Sequence, residues 1–144
     1  LWQTGNLYHR QVLDALQQMA TPQICCVDFI NRMDLAYAAA DLIVSRAGAG
    51  TISELCLVGK PVILVPSPNV AEDHQTKNAR ALVDQQAAVM VTDRDAPEKL
   101  IPEIRSLIRD AERRTSLGLR CRAMGLPGAA AMIVDEILKL GSGD

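Results

Sequence analysis

Uninterrupted apolar runs that alternate with helix-periodic segments constrain this chain more than any other feature. Residues 24–30 (Ile-Cys-Cys-Val-Asp-Phe-Ile), 42–44 (Leu-Ile-Val), 62–65 (Val-Ile-Leu-Val) and 87–91 (Ala-Ala-Val-Met-Val) each read as a strand. None shows the strict polar alternation of a half-solvated sheet. Between them lie segments with apolar residues at helical spacing, such as Val12, Leu13, Leu16 and Met19 ahead of Pro22. Strands buried on both faces and separated by helices imply a parallel sheet. The expected fold is therefore α/β, a Rossmann-like parallel sheet with helices on both faces. Ligands of such sheets bind beyond the carboxyl ends of the strands, which directs attention to the loops after Phe29, Val44 and Val65.

The helix boundaries follow from local chemistry. Asp34 is placed to cap a short Ala-rich helix that runs through Ala40. A helix from Thr51 to Val58 is closed by Gly59 and Pro61, and another runs from Asp73 to about Gln86. The remainder is helical in pattern: Pro97 to Asp110, a basic stretch around Arg113 to Arg122, and Gly128 to Leu140.

Composition closes off several classes of function. A chain of 144 residues with 49% hydrophobic content buries one substantial core and is not disordered. A net charge of -2 and 3% aromatic residues leave neither a positive field nor a stacking platform for nucleic acid. Cys25, Cys26, Cys56 and Cys121 form no C-x-x-C pair and have only His9 and His74 beside them in the composition, so no zinc site is expected. Such thiols suit a reducing cytosol. Neither a signal peptide nor an apolar stretch of about 18 residues is apparent. The opening Leu-Trp-Gln-Thr-Gly reads as the end of a strand entering a turn, so the chain is expected to be a fragment of a longer protein.

The most informative stretch is Asp41-Leu42-Ile43-Val44-Ser45-Arg46-Ala47-Gly48-Ala49-Gly50-Thr51-Ile52-Ser53-Glu54, a strand, a small-residue loop and a helix start. Small residues let a ligand approach the backbone, and the first helical amides are free donors with a positive dipole behind them. Phosphate would sit there without a metal. The structural alternative is equally well formed, because Thr51-x-x-Glu54 matches a capping box in which Glu54 serves only the helix. Ser53 stands where the dinucleotide fingerprint needs a third glycine, and no Gly-Lys-Ser/Thr follows, which excludes those two phosphate loops.

A second polar cluster runs from Val65 through Ala79, where His74, Gln75 and Asn78 offer donors and acceptors suited to sugar hydroxyls. A solvated helix start capped by Asp73 is its bland reading.

Taken together, Ser45-Arg46-Ala47-Gly48-Ala49-Gly50-Thr51-Ile52-Ser53-Glu54-Leu55, Gly59-Lys60-Pro61 and His74-Gln75-Thr76-Lys77-Asn78-Ala79 resemble the MurG family of N-acetylglucosaminyltransferases, which make lipid II for peptidoglycan. The resemblance covers nearly the whole chain, with Trp2-Gln3-Thr4-Gly5 near the start of the family's C-terminal domain. It implies the GT-B architecture, with residues 1–144 as an N-terminally truncated donor domain and the acceptor domain absent. The implied reaction is inverting, needs no metal or other cofactor, and transfers GlcNAc from UDP-GlcNAc to lipid I. By the same resemblance, Phe29 and Ile30 lie against uracil, with Met33 beside the nucleotide. Ala49, Gly50 and Thr51 approach the diphosphate, Ile52 and Ser53 are further substrate-binding residues, Glu54 takes the ribose hydroxyls, and His74 and Gln75 read the sugar. His74 departs from relatives that carry glutamine there. The catalytic base belongs to the missing domain, so no catalytic residue is expected in this fragment, which should be inactive alone. The implied location is peripheral, on the cytoplasmic face of the bacterial inner membrane.

Three other readings compete. One is a UDP-sugar-binding subunit of a split glycosyltransferase. Another is a metal-dependent sugar transferase using Asp93-Arg94-Asp95, whose Asp-x-Asp spacing also fits a solvated turn. The last is a UDP-sugar epimerase, which shares the general architecture. The arginines at 113, 114, 120 and 122 are expected to form a solvated helix face, with an anionic membrane surface as the alternative contact.

Overall fold

The computed structural model describes residues 1–19, 21–68 and 73–141. It divides into two compact units, Leu1–Ala40 and Asp41–Asp144.

In the first unit, β1 (Trp2–Gln3) pairs in parallel with β2 (Cys26–Val27), Trp2 opposite Cys26 and Gln3 opposite Val27. The crossover between them is α1 (Asn6–Gln18), as the spacing of Val12, Leu13 and Leu16 requires. Backbone bonds from Thr4 N–H to Val27 O (3.0 Å) and from Gly5 N–H to Asp28 O (3.1 Å) prolong the pairing. The buried strand expected over residues 24–30 is much shorter than that. Ile24 and Phe29 are 42% and 63% exposed, so the apolar run does not mark burial here. The Asp28 side chain accepts from Phe29 N–H at 2.8 Å and turns the chain out of the ladder. Cys25 is exposed and Cys26 half-buried.

Helix α2 (Met33–Ala39) starts two residues earlier than a cap at Asp34 would allow. Arg32 occupies the cap position, and Asp34 lies inside the first turn. The Arg32 guanidinium grips the Asp34 carboxylate through two bonds of 2.9 and 2.6 Å and lowers its pKa. Both side chains face solvent, so the pair fixes local geometry more than stability.

The second unit holds three parallel strands in the order β3 (Ile43–Ser45), β4 (Val62–Leu64), β5 (Val89–Met90). Helix α3 (Ala49–Val58) joins the first two, and α4 (His74–Asp84) leads into the third. Then come α5 (Ala96–Arg109), α6 (Ala111–Ala123) and α7 (Ala129–Gly141). The central strand explains its own composition: Val62, Ile63 and Leu64 are completely buried, so no polar residue is tolerated on either face. Ile63, Val91, Leu107 and Leu117 form the centre of the core, with Leu100 and Ile104 of α5 packed against it. The strand expected over 87–91 is only two residues long by pairing, yet Ala87, Ala88 and Val91 are buried around it.

Helix α6 packs on α3. Its arginines are not merely a solvated face. The Arg113 guanidinium lies 2.9 Å from Glu103, a charge contact rather than an aligned hydrogen bond. Arg114 donates to the carbonyls of Leu107 (2.8 Å) and Ile108, and Arg120 to the Gln86 side chain at 2.5 Å. The basic stretch therefore ties α6 to α5 and to the end of α4. Among the described residues, no helix is long and apolar enough to cross a membrane.

Candidate functional site

The turn between β3 and α3 offers unsatisfied backbone, as the uncapped starts of α4 and α5 also do. Strand β3 ends at Ser45, and α3 begins at Ala49 with Gly48 as its N-cap. Gly48 has no side chain with which to cap, and no side-chain cap bond is made. The first backbone bond of the helix runs from Ile52 N–H to Gly48 O at 2.9 Å. The amides of Ala49, Gly50 and Thr51 thus form the open, positive end of the helix.

This start lies two residues before the Thr51 expected from sequence, and the shift removes the capping-box reading of Thr51-x-x-Glu54. A capping box needs threonine at the cap position and glutamate three residues on. Thr51 is instead the third residue of α3, and Glu54 lies in its second turn, beyond reach of the cap amide. Glu54 is exposed, as are Ala49, Gly50 and Ser53, while Thr51 and Ile52 are half-buried. The Ser53 hydroxyl donates back to Ala49 O at 3.2 Å, an in-helix bond that takes it out of the mouth of the turn. A Cβ built on Gly50 would meet nothing within 4 Å, so packing within the protein does not demand glycine there.

Helix α4 holds this turn in place. Gln75 Oε1 accepts from Ala47 N–H at 3.2 Å and from Ser67 N–H at 2.9 Å. Asn78 Nδ2 donates to Ala47 O at 3.0 Å. These bonds use the Gln75 carbonyl oxygen, so its amide nitrogen is the end suited to donate to a ligand. His74 is exposed in the first turn of α4. Asp73 occupies the cap position in a left-handed conformation (φ 55°) without a side-chain cap bond, so it does not act as the expected cap. Residues 69–72 of the second polar cluster lie outside the described residues.

Arg46 is a member of this arrangement that sequence reasoning passed over. Its guanidinium donates to Val65 O (3.2 Å) and Pro66 O (3.5 Å) and pairs with Asp93, joining the carboxyl ends of β3 and β4 to the segment after β5. Its one sequence signal was a lone cation between a buried strand and a glycine turn. The same contact bears on Asp93-Arg94-Asp95. Asp93 is neutralised by Arg46, and Asp95 by Lys99 at 3.0 Å, which also lowers the Asp95 pKa. Each carboxylate has its own cation, and among the described residues no group of three or more His, Cys, Asp or Glu side chains is placed to hold a metal.

Hollows open in this unit among the described residues. A cavity of about 150 Å³ lies at the carboxyl ends of β4 and β5, lined by Pro66, Pro68, Thr76, Met90 and Thr92 among others. A larger one of about 540 Å³ lies at the start of β5, with Asp110 and Glu112 in its wall. The larger is the poorer candidate for an anionic ligand, because its wall sets Asp110 and Glu112 beside Arg113, which Glu103 already engages, and the free amides of α3 are elsewhere.

In the first unit, Phe29 is exposed, Ile30 half-buried, and Met33 opens α2 half-buried. Ile30 N–H donates to the Gln3 side chain at 2.8 Å.

With this geometry in hand, comparison with known proteins is decisive. The model of the glycosyltransferase family 28 C-terminal domain matches residues 1–123. The chain belongs to that family. A UDP-N-acetylglucosamine–N-acetylmuramyl-(pentapeptide) pyrophosphoryl-undecaprenol N-acetylglucosamine transferase of Bacteroides fragilis is 53% identical over 141 residues, 97% of this chain and 37% of that protein. The protein of the same name from Parabacteroides distasonis is 52% identical over 140 residues, 97% of this chain and 38% of its own length. The crystal structure of Acinetobacter baumannii MurG matches with a TM-score of 0.82 at 31% identity, covering 95% of this chain and 40% of that one. The fold is thus the α/β, parallel-stranded, C-terminal half of a GT-B glycosyltransferase. This family 28 chain spans about two fifths of the length of the relatives it matches.

Proposed function

We propose that the chain is the donor-binding domain of an inverting, metal-independent transferase that moves N-acetylglucosamine from UDP-GlcNAc to lipid I, giving lipid II for peptidoglycan. The observation that carries this reading is the uncapped start of α3, an amide cluster with no side-chain cap, in a chain 53% identical to a transferase named for that reaction.

The chemistry follows from the geometry. As the acceptor hydroxyl displaces UDP, negative charge grows on the diphosphate. The amides of Ala49, Gly50 and Thr51 point donors at that charge, and the α3 dipole adds to them. A preorganised donor of this kind is worth about 3 kcal/mol of barrier in other enzymes. Ile52 and Ser53 complete the first turns of the helix. Glu54 is proposed to accept from the ribose hydroxyls. His74 and the Gln75 amide nitrogen are proposed to meet the sugar hydroxyls. Phe29, the Ile30 backbone and Met33 are the proposed contacts of the base. The acceptor site and the base that deprotonates it are proposed to lie in the part of the relatives this chain does not span. Contact with the cytoplasmic face of the inner membrane, as a peripheral protein, is proposed for the same whole enzyme.

The test is calorimetric titration of UDP-GlcNAc, UDP-glucose and ADP into the chain and its Glu54→Ala variant. The uridine nucleotides should bind and ADP should not. Glu54→Ala should weaken UDP binding by about 1–3 kcal/mol, the scale of hydrogen bonds to a charged group. Equal affinity for ADP, or an unchanged affinity in the variant, would overturn the assignment.

A further inference from the structure

We propose that Asn78 is a positioning residue for the diphosphate turn, acting through the Ala47 peptide groups rather than by touching the ligand. The inference rests on the donor-site reading above and adds a residue to it.

Ala47 is completely buried, and both of its backbone polar groups are held by side chains of α4. Its N–H goes to Gln75 Oε1 at 3.2 Å, and its carbonyl receives Asn78 Nδ2 at 3.0 Å. Gln75 and Asn78 are three positions apart, so both project from one face of the helix. The clamp stands where the sheet can no longer help. The β3–β4 ladder makes its last contact between Ser45 O and Val65 N–H at 2.8 Å, two residues before Ala47. Beyond that point the chain must be aimed by something else. Ala47 is bonded directly to Gly48, the cap residue of α3, so the plane of the Ala47–Gly48 peptide sets how the first amides of α3 face, while the body of the helix, Glu54 included, is held by its packing on α6. A carbonyl buried without its donor costs free energy, and where no water can take the donor's place the chain recovers it by rotating that plane. Rotation would carry the amides of Ala49 and Gly50 away from a phosphate. Gln75 cannot isolate this role, because it is also a proposed sugar contact. Asn78 can.

The test compares uridine with UDP in the wild-type chain, in Asn78→Ala and in Asn78→Leu, which keeps the branched shape, excludes water and removes the donor. Binding is followed by NMR titration. Uridine lacks the diphosphate and does not use the turn. Both variants should bind UDP about fivefold to tenfold more weakly while uridine affinity is unchanged. A merely structural role would lower both affinities together, or neither. Wild-type chain that fails to prefer UDP over uridine would bring down the donor-site reading, and this inference with it. Wild-type preference retained in both variants would bring down the inference alone. Should the variants not fold, amide exchange in the wild-type chain decides. The Asn78 side-chain amide, which donates to Ala47 O, should exchange far more slowly than that of the exposed Asn31, and equal rates would show that no clamp exists.

Discussion

A Cβ on Gly118 of α6 would lie 2.7 Å from the carbonyl oxygen of Gly59, at the end of α3. Gly59 itself adopts φ 67° to close that helix, its N–H bonding Leu55 O at 2.9 Å. Two glycines thus let α6 press against the turn that ends α3, with the stem of Arg122 covering Gly59. The contact that fixes one end of α3 is therefore backbone against backbone, and it leaves no room for a methyl group. Gly118→Ala should destabilise the fold by about 1–3 kcal/mol, the usual cost of overpacking, despite the better helix propensity of alanine. Denaturant melts of the variant check this, and an unchanged midpoint would show that α6 can shift without cost.

Gly50 is the opposite case. A Cβ there meets nothing within 4 Å, and the residue lies inside α3. Gly50→Ala should therefore raise stability slightly, by up to about 1 kcal/mol. If the open space belongs to a diphosphate, the same methyl group should weaken UDP binding by about tenfold or more while the melting temperature rises. A gain in stability with no loss of UDP affinity would mean that the ligand does not approach Gly50.

Legibility of this fold in the sequence tracked burial on both faces. Residues 62–65 were readable because Val62, Ile63 and Leu64 are wholly inside, where one apolar run can only be a central strand. The run at 24–30 looked the same but carries Asp28, whose side chain bends the chain after two paired residues. Hydrophobicity reports a preference for burial, and it cannot report whether a neighbour exists to supply it. At the site, the glycine turn and the polar face of α4 were both visible. Their connection was not. Gln75 and Asn78 reach Ala47 across 28 and 31 positions, and their partner there is backbone, which leaves no trace in residue identity. The helix start was misplaced because Thr51 is a good capping residue, while the actual cap, Gly48, has no side chain to announce itself.

The pair Cys56 and Cys121 gives a prediction in alkaline solution. Both thiols are buried, Cys56 on α3 and Cys121 on α6, where Cys121 Sγ donates to Leu55 O at 3.6 Å. Burial, reinforced by the neighbouring Cys56, pushes the Cys121 thiol up to about 12, and burial raises Cys56 as well. In the unfolded chain the same groups ionise near the ordinary thiol value, about 8.5. Between those limits the unfolded state binds fewer protons than the folded one, so stability falls as pH rises. It is fully present below the unfolded value and is lost progressively through the folded one. The slope for Cys121 is up to about 1.4 kcal/mol per pH unit. Cys121→Ala should flatten the pH dependence of the urea midpoint above about pH 9, at the cost of lower stability at neutral pH from the small cavity left behind. Alkylation gives an independent reading. At pH 8 iodoacetamide should modify the exposed Cys25 promptly and leave Cys56 and Cys121 untouched until the chain unfolds. Modification of all four thiols at similar rates in the native chain would show that α3 and α6 part readily.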